Sequence, residues 1–245
     1  TVSIYAWDES EPILKSWAQA FPGIVKPRSA MPAQVVDHVR YPEDLFKIQR
    51  EILSKYHVKD AGAFYGGQDF WVIPNDPTRP GVQSSQPPYY LQLQMPGDAS
   101  PVFSLTTTFA PTRRQTLASF MSVSSDPKNN YGKIRVLQLP RNTTIPGPTQ
   151  VQNNFESDPD VSALLSLLRR GGSEVELGNL LSLPIGGGLL YVEPVYVRAT
   201  AGDSYPLLRK VLASFGPNAV FEDNIQDAIT ALFGTTSGAK QTPTV

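Results

Sequence analysis

The chain has 245 residues, 40% hydrophobic and 18% charged, with 21 basic against 22 acidic residues; that is enough to bury a substantial core, and the near-neutral balance favours neither nucleic acid nor anionic lipid. It contains no Cys, which excludes disulfides, thiolate nucleophiles and Cys-based zinc sites. No apolar run approaches the roughly 20 residues a bilayer span needs, and no signal peptide is visible. Proline is abundant at 23 residues, about twice the usual share, and its place in connections and at element starts predicts long, stiffened, ordered loops.

Val2, Ile4 and Ala6 alternate with Ser3 and Tyr5, a short strand. Trp7-Asp8-Glu9-Ser10 then turns into a helix with Pro12 near its start, Ile13, Leu14, Trp17, Ala18 and Phe21 as its buried stripe, and Pro22-Gly23 as its stop. A short helix follows from Pro32 to Val39. The turn Arg40-Tyr41-Pro42-Glu43-Asp44 opens a longer one running to about His57. Pro42 suits a first helical position, and Glu43 and Asp44 set negative charge at the positive end of the dipole. Leu45, Ile48, Ile52, Leu53 and Tyr56 read as its core-facing stripe. A turn of helix over Ala61 to Tyr65 precedes an ordered loop, Gly66 to Pro88, that carries Phe70, Trp71 and Ile73.

From Tyr89 the texture changes to strands. Leu91, Leu93 and Met95 alternate with Gln92 and Gln94; Val102 to Phe109, Leu117 to Ser124 and Lys133 to Leu139 follow, paired as an antiparallel meander. Ser157-Asp158-Pro159-Asp160 starts a helix with Val161, Leu164, Leu165 and Leu168 on one face. Glu174 to Leu183 and Leu189 to Val197 read as two strands, and Leu207 to Phe215 as another. Asp223 with Gln226 resembles a capping box for a helix through Phe233. Residues 235–245 read as a flexible tail or linker. No internal repeat is evident. The expected fold is α+β: a mixed, mainly antiparallel sheet with flanking amphipathic helices and long Pro-rich loops, over one domain of residues 1–234 with a helical subregion at 1–80.

The catalytic inventory is thin. His38 and His57 are the only histidines, each beside or within a helix, and no Ser lies in a nucleophile elbow. The acidic clusters 8–11 and 156–160 lie where helices begin, so no metal or cofactor is expected. Gly186-Gly187-Gly188 is followed by strand residues rather than a helix, which reads as a hairpin connection and not a phosphate loop. Asn142-Thr143-Thr144 matches the glycosylation acceptor pattern. Glu193 is an acid within an apolar strand; a buried ion pair with Arg198 or Arg209 is the structural reading. Paired carboxylates drawn from Glu193, Glu43 and Asp44 are the catalytic one. The Arg40 to Asp44 turn reads either as a recognition surface or as an internal salt-bridged brace.

Several long motifs resemble one family: Arg40-Tyr41-Pro42-Glu43-Asp44-Leu45-Phe46, Phe70-Trp71 with Pro74-Asn75-Asp76-Pro77, Pro87-Pro88-Tyr89-Tyr90, Tyr131-Gly132-Lys133-Ile134, Gly147-Pro148 with Gln150 to Asn154, and Gly186 to Tyr196. They are similar to uncharacterised protein family UPF0182, large bacterial multi-pass membrane proteins. The resemblance runs from about Thr1 to Gly234. It implies about seven transmembrane helices near the N-terminus of such a protein, then a large extracytoplasmic region of which this chain is a piece; a start on strand residues without Met fits that. The family has no established catalytic residues to carry over. The expectation is a soluble extracytoplasmic domain of a cell-membrane protein. Its partners are its own transmembrane region and an envelope protein or ligand, with Arg40, Glu43, Asp44 and Glu193 as candidate binding residues. The alternatives are a carboxylate-based hydrolase of cell-envelope polymer and a purely structural module.

Overall fold

A computed structural model describes residues 2–79, 81–140 and 144–234; the Asn142 acceptor pattern and the 235–245 tail lie outside them. The first forty residues are thinly packed, with Ala6 the only buried side chain among those described. Strand β1 (Ile4–Tyr5) pairs in parallel with β2 (Val25–Lys26) across helix α1 (Pro12–Ala20), which starts where the Glu11 carboxylate accepts the Leu14 amide at 2.5 Å. The stripe expected to be buried is not: α1 buries no residue, and Ile13, Trp17 and Phe21 are exposed. Periodicity defines an apolar face but not its partner, and nothing among the described residues covers this one.

A single 3-10 turn (Arg28–Ala30), α2 (Ala33–Val36), α3 (Glu43–Tyr56) and α4 (Ala61–Tyr65) follow. Helix α3 also turns an unexpected face inward. Its buried residues are Phe46, Arg50 and Ser54, spaced four apart, with Leu53 packed partly beside them. Leu45, Ile48, Ile52 and Tyr56 lie outside at 44–69% exposure. A large aromatic and an arginine hydrogen-bonded through Nη1 outcompete four aliphatic and aromatic positions for the sheet, because α3 is anchored by Tyr41 and Phe46.

Two five-stranded antiparallel sheets follow with the same wiring. In the first, β3 (Trp71–Val72), β4 (Tyr89–Leu93), β5 (Val102–Pro111), β6 (Ser119–Ser124) and β7 (Ile134–Gln138) form the order β3-β5-β6-β7, with β4 also on β5. Helices α5 (Pro148–Ser157) and α6 (Pro159–Leu168) lead into the second: β8 (Ser173–Leu177), β9 (Leu181–Ile185), β10 (Gly188–Ala199), β11 (Leu207–Phe215) and β12 (Asn218–Glu222), in the order β8-β10-β11-β12 with β9 also on β10. Each long central strand carries two short strands on one edge: a hairpin partner along its first half (β4, β9) and a second partner at its far end (β3, β8). Its other edge begins a meander. The α+β class and mainly antiparallel pairing are as expected.

Helix α3 packs on one face of the first sheet through Phe46, Leu105, Phe109, Met121 and Val123. Helices α5 and α6 pack on the second sheet through Val151, Phe155, Val161 and Leu165 against Leu189, Tyr191 and Val195. Helix α7 (Ile225–Phe233) covers its other face against Leu190 and Ala213; its cap is Asn224, whose side chain accepts the Asp227 amide at 3.0 Å, rather than Asp223. Helix α5, strand β12 and the division of 174–183 into two strands go beyond the sequence reading.

Candidate functional site

The two short strands on each central strand do not meet, and polar side chains gather at the break. Along β5 it falls between Thr106, the last partner of β4, and Ala110, the first partner of β3, which leaves Thr107 and Thr108 to non-strand neighbours on that edge. Arg50 Nη1 donates to Thr107 Oγ1 at 3.2 Å and to the Gln86 carbonyl at 2.9 Å. Thr108 Oγ1 donates to Gln86 Oε1 at 3.2 Å, and Gln86 Nε2 donates across the sheets to the Leu180 carbonyl at 3.1 Å. Along β10 the break falls after Val192 and before Val195, and Glu193 occupies it. Gly178 turns the corner there: its amide donates to the Pro194 carbonyl at 2.8 Å, and a Cβ at this position would sit 2.6 Å from Pro194 Cγ.

Glu193 is fully buried, and neither carboxylate oxygen has a hydrogen-bond partner. Arg198 is committed to Glu174 at 2.9 Å and Arg209 is exposed, so the ion pair expected from sequence is not formed: β10 turns Arg198 to the outer end of the strand. Burial first, and then the neighbouring charges of Glu156 and Asp76, push the Glu193 carboxyl up to about 8; Gln152 opposes the rise. Gln152, on α5, is itself buried; it donates Nε2 to Glu156 Oε1 at 3.2 Å and leaves Oε1 without a partner. Ser182, cross-strand from Tyr191 on the same sheet face, is a third buried group with an unpartnered oxygen. Beyond this contact lies a cleft of about 700 Å³ lined by Arg79, Glu156, Arg169, Glu174, Asn179 and Arg198. Asp76, nearly buried, holds Thr78 Oγ1 at 2.7 Å and Arg79 at 3.6 Å on its rim.

The remaining candidates lie elsewhere, at the start of α3 on the first sheet. Arg40 places its guanidinium 5.6 Å from the ring centres of Tyr90 and Phe103, and its carbonyl accepts the Tyr131 hydroxyl at 3.1 Å. The Tyr41 carbonyl accepts the Tyr90 hydroxyl at 2.6 Å. Glu43 and Asp44 pair with Lys47 one turn on, at 2.6 and 3.6 Å. Here Arg40 is held by aromatic rings and backbone contacts, and its motif ties the α3 entry to β4 and β5. The structure thus brings Arg40, Glu43 and Asp44 together and leaves Glu193 apart. His57 is a clamp, with Nδ1 2.9 Å from the Leu53 carbonyl, Nε2 3.0 Å from the Asp69 carbonyl, and its ring stacked on Trp71.

Sequence reasoning missed Gln152, Gln86, Arg50 and Asp76. Gln152 was legible in principle: Gly147-Pro148 is a helix start, and Val151 and Phe155 stand one turn apart. Gln86 carries no local signal, since its partners lie 22 and 94 residues away.

The fold and this seam define an α+β module in which two like-wired sheets are joined by buried polar groups. Residues 1–168 match the uncharacterised protein family UPF0182, and the chain belongs to that family. It is 53% identical to a UPF0182 protein of Leifsonia xyli over 98% of this chain and 26% of that relative. It is 47% identical to one of Thermobifida fusca over 100% and 24%, and 49% identical to one of Streptomyces coelicolor over 99% and 24%. The chain therefore spans about a quarter of the length of the curated relatives it matches. No solved structure gives a significant match. No helix among the described residues is long and apolar enough to cross a membrane.

Proposed function

We propose that this chain is a non-enzymatic docking domain on the extracytoplasmic side of a multi-pass membrane protein, and that α1 and α3 seat it on the remainder of its own polypeptide. The observation that carries this reading is the pair of apolar helix faces left open. Ile13 and Trp17 on α1 with Phe21 at its C-cap, and Leu45, Ile48, Ile52 and Tyr56 on α3, are each 44–69% exposed, whereas soluble surfaces normally scatter such residues singly. Three-quarters of the length of the relatives lies outside this chain, so the parent polypeptide has ample chain to cover both. Binding of an envelope protein or ligand belongs to the same reading, with the 700 Å³ cleft beside Glu156 as its place. The hydrolase alternative needs two carboxylates facing one cleft. Glu43 and Asp44 are paired with Lys47 on α3, the Glu193 oxygens are enclosed, and of the carboxylates that line the cleft Glu174 is paired with Arg198 and Glu156 accepts from Gln152, so the geometry gives that alternative less support.

The test is hydroxyl-radical footprinting of the full-length protein in membranes. Trp17 and Tyr56 are 58% and 69% exposed here, and Tyr205, at 84% between β10 and β11, serves as the internal reference. Docking predicts that Trp17 and Tyr56 label several-fold more slowly than Tyr205. Labelling of all three at comparable rates would refute the docking.

A further inference from the structure

Alternate residues of β10 point at α5 and α6, and three of the four, Leu189, Tyr191 and Val195, belong to one apolar cluster. The fourth is Glu193. A carboxylate there would have no cation partner: both oxygens are closed from solvent and without a hydrogen bond, and Gln152 is the neighbouring side chain that favours the charged form. The charges that bear on it from the elements packed around it are both negative, those of Glu156 and Asp76. Helix α5 presents Gln152 Oε1 and, beyond it, Glu156. Strand β9 presents Ser182, and the β3–β4 loop presents Asp76. Tyr191 on the same strand is occupied, donating its hydroxyl to the Pro146 carbonyl at 2.5 Å. The α6 side is Val161 and Leu165, neither of them titratable. Two arginines of the adjoining cleft are engaged elsewhere, Arg198 with Glu174 and Arg79 with Asp76. Gln152 donates Nε2 to Glu156 and leaves its own buried carbonyl oxygen with nothing to accept from.

One added hydrogen completes this arrangement. We infer that the α5–β10 contact is a proton-binding site, in which Glu193 is held as a neutral carboxylic acid that donates its O–H to Gln152 Oε1. The ligand is the proton itself. Buried polar groups are nearly always hydrogen-bonded, and a buried carboxyl that lacks a cation partner neutralises rather than remain charged. The elevated titration of this carboxyl, to about 8, has the same physical origin. Helix α5 also carries Glu156 to the cleft wall, so loss of the proton acts on both places. It puts a charge against Gln152, loosens α5 from β10, and shifts Glu156 at the edge of the cleft.

Infrared spectroscopy of the chain with labelled glutamate, compared with Glu193→Gln, tests this. The amide that this substitution introduces is isosteric with the neutral acid and cannot titrate. The expected result at neutral pH is one protonated-carboxyl C=O band in the wild type that disappears above about pH 8 and is absent in E193Q. A second variant, Gln152→Leu, shifts that band towards the frequency of a C=O whose O–H has no acceptor. Only ionised carboxylate at neutral pH in the wild type overturns the proposal. So does stabilisation of the wild type, but not E193Q, by added sodium, potassium or calcium ions, which would make the site a cation site. The wild-type spectrum decides the question even if E193Q fails to fold.

Discussion

An arginine keeps its proton wherever it is placed, whereas a glutamate can surrender its charge. Arg50 and Glu193 show both behaviours at equivalent breaks in the two sheets. Arg50 enters from the helix side and remains charged by donating to a backbone carbonyl and a threonine hydroxyl, although Nε is unpartnered and burial pushes its titration down. Replacing it with Met strands the Gln86 carbonyl, and we expect a loss of about 1–3 kcal/mol in denaturant unfolding, the usual cost of an unsatisfied buried acceptor. For Glu193 the folded state holds the proton up to about 8, against 4.5 for the free side chain. Its contribution is fully present below about pH 4.5, where both states are protonated. Between the two values the unfolded chain has released a proton that the folded chain retains. Stability therefore falls as pH rises, with a limiting slope of about 1.4 kcal/mol per pH unit. In E193Q this part of the pH dependence vanishes, which equilibrium unfolding from about pH 5 to about pH 9 will show.

At the level of elements, what was legible in the sequence is what neighbouring residues decide. The Asp158 cap, whose carboxylate accepts the Asp160 and Val161 amides, fixes the start of α6. Gly186 and Gly187, at φ 58° and 78°, close the β9–β10 hairpin as expected. The helix α4 and the strands β5, β6, β7 and β11 also lie where alternation and turn formers set them. What distant residues decide was hidden. Helix α5 carries Gln150, Gln152, Asn153 and Asn154, which mask its two-residue apolar stripe. The Glu174–Leu183 run breaks at Gly178 only because Pro194 and Tyr196 approach it from β10. Of the four candidate residues, Glu193 drew notice as an acid in an apolar strand, but its partner in α5 could not be read locally. Helix α3 is the sharpest case, since its most apolar stripe is not its core face. Phe46→Ala should cost about 3–5 kcal/mol, as a buried Phe truncation does. Ile52→Glu, 53% exposed, should stay within about 0.5 kcal/mol. The reverse order in thermal or denaturant unfolding would restore the sequence-derived orientation.

The whole molecule is two sheets wired alike and joined by one shared apolar cluster and a buried polar seam. Leu117 and Leu139, at the edges of β6 and β7, reach into the second sheet's cluster; the edge strands β4 and β9 also meet, and the segments just ahead of them are bridged by Gln86. The Gln86 amide spans from Thr108 on β5 to the Leu180 carbonyl just ahead of β9, and the residue is 5% exposed. A repeat of wiring without a repeat of sequence is physically reasonable: strand pairing needs only alternation and turns, whereas the residues at each break answer to different neighbours. It also makes the coupling between the halves depend on few groups. Gln86→Ala removes both side-chain bonds and leaves the backbone carbonyl that receives Arg50 in place. The first sheet keeps its α3 contact, so the damage falls on the joint. We expect the wild type to unfold in one transition whose calorimetric and van't Hoff enthalpies agree. In Gln86→Ala the calorimetric enthalpy should exceed the van't Hoff value, with tryptophan fluorescence and far-ultraviolet circular dichroism no longer coinciding. Trp7, Trp17 and Trp71 all precede β4, so fluorescence reports the N-terminal half alone and circular dichroism both. Coincident curves in the variant would mean that the Leu117 and Leu139 packing, rather than the polar seam, couples the two sheets.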